Sequence, residues 1–103
     1  MEAIRWYCLA AHAGHAEARF ELGHIYTWGG RSMGRTQPSE KRILAYKWFS
    51  LASKAGHPLA DDDKNYVANL LTPEDIAEAE ERVANWKPNP AECEFATAAQ
   101  EGS

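Results

Sequence analysis

Apolar residues at the start of the chain recur at helical spacing. Ala3, Trp6, Tyr7, Ala10 and Ala13 follow the i, i+3, i+4, i+7 pattern of one helix face. Gly14 comes next and is placed to stop that helix, because glycine readily takes the left-handed backbone that closes a last turn. A second helix is expected from about Ala16, burying Ala18, Phe20, Leu22, Ile25 and Tyr26. Short side chains let two helices approach closely, so the alanines and Gly23 are expected to set the spacing within this hairpin. The rings of Trp6 and Tyr7 would then fill the gap to a neighbouring unit.

The same pattern returns 42 residues later. Residues 3–18 read AIRWYCLAAHAGHAEA and residues 45–60 read AYKWFSLASKAGHPLA, identical at eight of sixteen positions without a gap. The identities include Trp6/Trp48, Ala10/Ala52, Gly14/Gly56, His15/His57 and Ala18/Ala60, and Tyr7/Phe49 is a near-synonym. A period near 40 carrying helical apolar spacing predicts stacked helix hairpins, in which each unit buries a face against the next.

These residues resemble the Sel1-like repeat, a relative of the tetratricopeptide repeat. The family pattern is roughly A-x-x-W-[YF]-x-x-A-A-x-x-G-[HN]-x-x-A-x-x-x-L-G-x-x-Y-x-x-G. Trp6-Tyr7, Ala10-Ala11, Gly14-His15, Ala18, Leu22-Gly23, Tyr26 and Gly29 fit it, and the second copy fits from Ala45 to Ala60. The second copy then departs, with Lys64-Asn65 where Leu-Gly would stand and Ala68 in place of the tyrosine. The resemblance implies an all-α fold, a right-handed α-α superhelix of about two repeats with a C-terminal capping helix. The expected repeat core is Trp6, Tyr7, Ala10, Gly14, Ala18, Leu22, Gly23, Tyr26, Trp48, Phe49, Ala52, Gly56 and Ala60.

Organisation as a single domain over residues 1–103 follows, with repeat 1 at 1–29 and a glycine-rich loop at 30–38. Repeat 2 then spans 39–71, a capping helix 72–87 and a tail 88–103. Ser39 is a candidate N-cap, with Glu40 in the first turn. Thr72-Pro73-Glu74-Asp75 is a stronger helix start, with a threonine cap, proline at the first helical position and acids behind it. That helix is expected to bury Ile76, Ala79, Val83 and Trp86 and to end before Pro88. A short alanine-rich helix is expected over residues 90–101. The chain starts inside its first helical pattern, which reads as the C-terminal portion of a longer array. Standing alone, the first hairpin would expose an apolar edge, making a homodimer through it a further expectation.

Composition narrows the function classes. At 45% hydrophobic and 25% charged the chain is neither disordered nor fibrous. No apolar run of spanning length and no secretory signal are visible, so membrane insertion is not expected. A net charge of −4 argues against nucleic acid as a partner. Two cysteines are too few for a disulfide framework and leave the redox compartment open.

Cys8 and His12 stand four residues apart on one helix and could share a ligand face, with His15 just beyond. Zinc needs three or four ligands and no second cluster is close in sequence, so neither a metal nor another cofactor is expected. The same pair makes a poor catalytic couple, having no third orienting group and no oxyanion turn nearby. His15 and His57 are better explained by the turns they follow, where an imidazole can bond free backbone groups. Asp61, Asp62 and Asp63 read as dipole-favoured charges at a helix start.

Charge placement is more informative. Residues 1–54 carry a balance of +4 and residues 55–103 a balance of −8. The first helices of the two units hold cations at matched positions, Arg5 with Lys47 and His12 with Lys54. The resemblance implies that the first helices line the concave surface, so Arg5, His12, Lys47 and Lys54, with Cys8 and Ser50 between them, would form a basic groove there for an acidic or C-terminal carboxylate-bearing peptide. The expected function is therefore non-enzymatic protein binding. The resemblance also allows two alternatives: a weak β-lactam-binding or hydrolysing enzyme of the cysteine-rich Sel1-like kind, or a structural array end that self-associates. The enzyme alternative calls for paired cysteines in each repeat, and the second copy here has none.

Overall fold

The computed structural model describes residues 2–28, 38–89 and Cys93. Among these the chain forms α1 (Glu2–His12), α2 (Ala16–Trp28), α3 (Pro38–Lys54), α4 (Ala60–Ala68) and α5 (Pro73–Ala84), with no strand. The expected loop, apart from Pro38, and the expected tail helix, apart from Cys93, lie outside the described residues. No helix among the described residues is long and apolar enough to cross a membrane.

Two of the boundaries are set by one device used twice. Gly14 has φ +101° and Gly56 has φ +96°, a backbone that residues with a Cβ rarely adopt. The Gly14 N–H donates to the Ala11 carbonyl and the His15 N–H to the Ala10 carbonyl, both at 3.1 Å. The second unit repeats this bond for bond, with Gly56 donating to Ser53 at 2.9 Å and His57 to Ala52 at 3.0 Å. This is the Schellman closure, which satisfies carbonyls that a helix end leaves open. Every donor and acceptor in the second turn stands 42 residues after its counterpart in the first.

α3 is the central helix, packing against α2, α4 and α5. Its residues from Ala45 to Ala52 are all buried, as expected of a helix covered on every side. It contributes to two apolar clusters. One joins Cys8, Ala11, Ala18 and Leu22 to Trp48 and Leu51. The other joins Phe20 to Ile43, Tyr46, Phe49, Ala52, Ala60, Val67 and Ala79. α1 packs on α2, and both contribute to the first cluster.

Gly23 marks the closest approach, but not within the first hairpin as the sequence pattern had implied. A Cβ at Gly23 would lie 2.5 Å from Cδ1 and Cε1 of Phe49, so this glycine lets α2 meet α3 in the next unit. Phe49 is 1% exposed and has little room to move. Gly23→Ala should therefore destabilise the fold by about 1–2 kcal/mol, an overpacking cost of about 1–3 kcal/mol partly offset by alanine's better helix propensity. A urea midpoint equal to or above that of the parent would contradict this packing.

α5 begins as its sequence predicts. Thr72 is the N-cap, its Oγ1 accepting from the Asp75 N–H at 3.1 Å, and Pro73 opens the helix. Arg82 near its end donates through two nitrogens to both carboxylate oxygens of Glu40 and through Nε to Glu78 at 2.9 Å. These bonds, led by those to Glu40, raise the Arg82 pKa above its ordinary value despite burial. They also fasten α5 to the first turn of α3.

Three expectations need correction. Trp6 is 63% exposed, whereas its counterpart Trp48 is 3% exposed, so the matched tryptophans sit in different surroundings. Trp48 is covered by His12 and Trp86, while Trp6 makes a T-shaped contact with Tyr7 at 5.2 Å. Gly14 and Gly56 are exposed turn residues and not core. Helix α3 starts at Pro38, so Ser39 falls inside it and is not its N-cap.

Candidate functional site

The six residues expected to line an open basic groove are separated by the fold. Arg5 and Lys54 are exposed, whereas Cys8, His12, Lys47 and Ser50 are buried. The cover over the α1 half comes from the far end of the chain. Cys8 is disulfide-bonded to Cys93 across a sequence separation of 85, which places both cysteines in the core and not at a surface. Between them the backbone N–H of Asn89 donates to His12 Nδ1 at 2.8 Å. The His12 ring lies edge-on to Trp48 at 5.6 Å and tilted against Trp86 at 5.2 Å. Lys47 folds over its own neighbour, with Nζ 4.6 Å from the centre of the Trp48 ring. A continuous stripe is therefore absent among the described residues, because residues after α5 return across α1.

Arg19 is the residue that local pattern did not reveal. Its Nε donates to the Ala11 carbonyl at 3.0 Å and its Nη1 to the Leu51 carbonyl at 3.1 Å. These carbonyls belong to the last turns of α1 and α3, where a cation is favoured by the helix dipole. The guanidinium also lies 5.0 Å from the Trp86 ring centre. Burial lowers its pKa from the ordinary arginine value. In the repeat register Asp61 stands opposite Arg19, so the self-match carries no signal for this role.

His57 bonds a backbone group of its turn, as expected of it. His57 Nδ1 accepts from the Leu59 N–H at 3.2 Å, while its Nε2 meets Glu17 Oε1 at 2.9 Å. Its ring stacks on Phe20 at 4.0 Å, which ties α2 to the second turn. Asp61, Asp62 and Asp63 occupy the first turn of α4, as the dipole argument requires. Asp63 also pairs with His24 of α2 at 2.8 Å.

Open cavities lie beside α3 among the described residues, and two of them matter here. One, of about 290 Å³, is lined by Tyr46, Ser50, Ser53, Lys54, Lys64 and Glu80 among others. Here Ser50 and Lys54 do come together, with Lys64 added from α4. Tyr46 donates its hydroxyl to Glu80 Oε2 at 3.0 Å. Burial first, and then the Glu80 carboxylate, raise the Tyr46 pKa and keep the phenol protonated. Lys64 stands 3.7 Å from Asp61 and 5.9 Å from the Tyr46 ring centre. The other cavity, of about 220 Å³, is lined by Trp28, Tyr66, Thr27 and Phe49, with the His24–Asp63 pair on its wall.

Comparison with family models, with curated proteins and with solved structures gives no match for this chain. The geometry and the sequence pattern are therefore what a functional reading rests on.

Proposed function

We propose that this chain is a non-enzymatic interaction module of the Sel1-like type, a right-handed superhelix of two helix hairpins closed by α5. The bond-for-bond identity of the Gly14 and Gly56 turns supports the repeat. The function is to hold a peptide by a carboxylate, and the cavity beside α3 is the place. The observation that carries this reading is the convergence there of Lys54 and Lys64 with the hydroxyls of Ser50 and Ser53. Two ammonium groups and two hydroxyl donors match the lone pairs of one carboxylate, and such charge-assisted bonds are the strong ones. Glu80, which accepts from the Tyr46 hydroxyl, lines the same cavity and would repel a carboxylate placed on its side.

The test uses a library of acidic peptides prepared both with a free C-terminus and as amides. Binding is expected for free-acid peptides, with at least a tenfold loss on amidation and a comparable loss in Lys54→Glu and Lys64→Glu, since a bond to a charged group contributes about 1.5–3 kcal/mol. Equal binding of acids and amides, or binding unchanged in both variants, rejects the carboxylate pocket.

A second reading is favoured by one observation. Trp6 is 63% and Leu9 39% exposed on α1, an apolar edge suited to pairing with the same edge of another copy.

A further inference from the structure

The Cys8–Cys93 bond brings a third side chain with it. His12 stands one turn after Cys8 on α1, and one donor atom from each of Cys8, His12 and Cys93 lies within 4.8 Å of the others. All three residues are buried, Cys8 at 7% exposure, His12 at 4% and Cys93 at 0%. The second ligand cluster that local spacing lacked is supplied from the other end of the chain.

We propose that the reduced protein holds one soft metal ion, Cu(I), between the two cysteine sulfurs and the His12 imidazole. The disulfide and the metal are alternative closures of the same clamp. Two thiolates and an imidazole form a soft donor set, which selects Cu(I) and zinc over oxygen-seeking cations. A zinc site with three protein ligands takes a water as its fourth, and the three donors that converge among the described residues are all buried away from solvent. Cu(I) is satisfied by three ligands in a plane, so a buried clamp of two sulfurs and one imidazole favours copper.

The steps balance. A dithiol or phosphine reductant delivers two electrons to the S–S bond, two protons are taken up, and the reductant leaves as its own disulfide or as the phosphine oxide, whose oxygen comes from water. Metal binding then displaces the two thiol protons. With a metal–sulfur distance of about 2.3 Å, the sulfurs end roughly 4 Å apart, within the span the three donors already occupy. The imidazole must also change partners. In the disulfide form Nδ1 accepts from the Asn89 N–H, so the neutral ring carries its proton on Nε2. Giving Nδ1 to the metal displaces Asn89. Giving Nε2 moves the ring proton to Nδ1, which can then no longer accept. Either route breaks the Asn89 bond while Cys93 keeps its hold on α1.

Trp48 and Trp86 flank the imidazole and report on it. The experiment reduces the full chain with a phosphine under argon and adds Cu(I) in competition with a chromophoric Cu(I) chelator. Tryptophan fluorescence and free thiols are followed together. One Cu(I) per chain is expected, with both thiols protected and a fluorescence change complete at one equivalent. Cys8→Ser and Cys93→Ser should each weaken binding at least a hundredfold, and His12→Ala at least tenfold. The unreduced protein should take up no copper. If reduction alone melts the helices, recovery of the helical circular dichroism at one equivalent of Cu(I) supports the site equally. Uptake by the reduced parent no better than by the Cys8→Ser/Cys93→Ser double variant overturns the proposal, as does stoichiometric zinc binding without copper binding.

Discussion

Phe49→Ala is expected to lower folding stability by about 4 kcal/mol, the range found when a buried phenylalanine is cut to a methyl group. Phe49 is 1% exposed and among the largest fully buried side chains described. Its ring lies 5.7 Å from that of Phe20 and 5.3 Å from that of His24, and it occupies the space left open by Gly23. Removing it opens a cavity between α2 and α3, the contact that joins the first hairpin to the second. Because the ring also walls the cavity beside His24 and Asp63, water gains a path to the interior. Urea unfolding followed by circular dichroism measures the loss, and a cost below about 1 kcal/mol would contradict the packing described. Adding Gly23→Ala to this variant should cost less than it does in the parent, because the new methyl enters space the ring has vacated.

Breaking the Cys8–Cys93 link is expected to have an effect of similar size. The bond closes a loop spanning 85 positions, and the chain-entropy relation assigns a loop of that length about 4.6 kcal/mol. For a domain near 100 residues this corresponds to a fall in Tm of about 20 °C. Cys8→Ser and Cys93→Ser should each show it, and so should the parent under a strong reductant with metal chelated. The residues beyond α5 then lose their covalent anchor, and the Asn89–His12 bond and the Trp86 contacts with His12 and Trp48 weaken with it. Coincident thermal transitions for the oxidised and reduced forms would show that the link contributes little.

Much of the helical layout was legible in the chain. The spacing of Ala3, Trp6, Tyr7 and Ala10 marked α1, the two glycines marked its end and that of α3, and Thr72-Pro73 marked the start of α5. Each of these signals acts within one or two turns, and that is the range over which spacing determines backbone shape. The site was less legible because its burial is decided by distant partners. Nothing near His12 shows that Asn89 will bond to it, and nothing near Cys8 shows that Cys93 will reach it. Periodicity marks Trp6 and Trp48 as the apolar side of a helix but does not say what packs there, and the two differ for that reason. Gly23 was visible as a small residue, but its partner on α3 was not. Arg19 gave no sign because its work is done with carbonyl groups, which every residue carries.

The placement of Arg19 has a mechanical consequence. One planar cation grips the exits of two helices that belong to different hairpins, adding a fixed point between them to those made by the His57–Phe20 stack and the His24–Asp63 pair. A lysine there could reach both oxygens only by swinging between them, since it lacks the rigid fork of donors. A twist of one hairpin against the other would therefore have to break two charge-assisted hydrogen bonds of Arg19 at once.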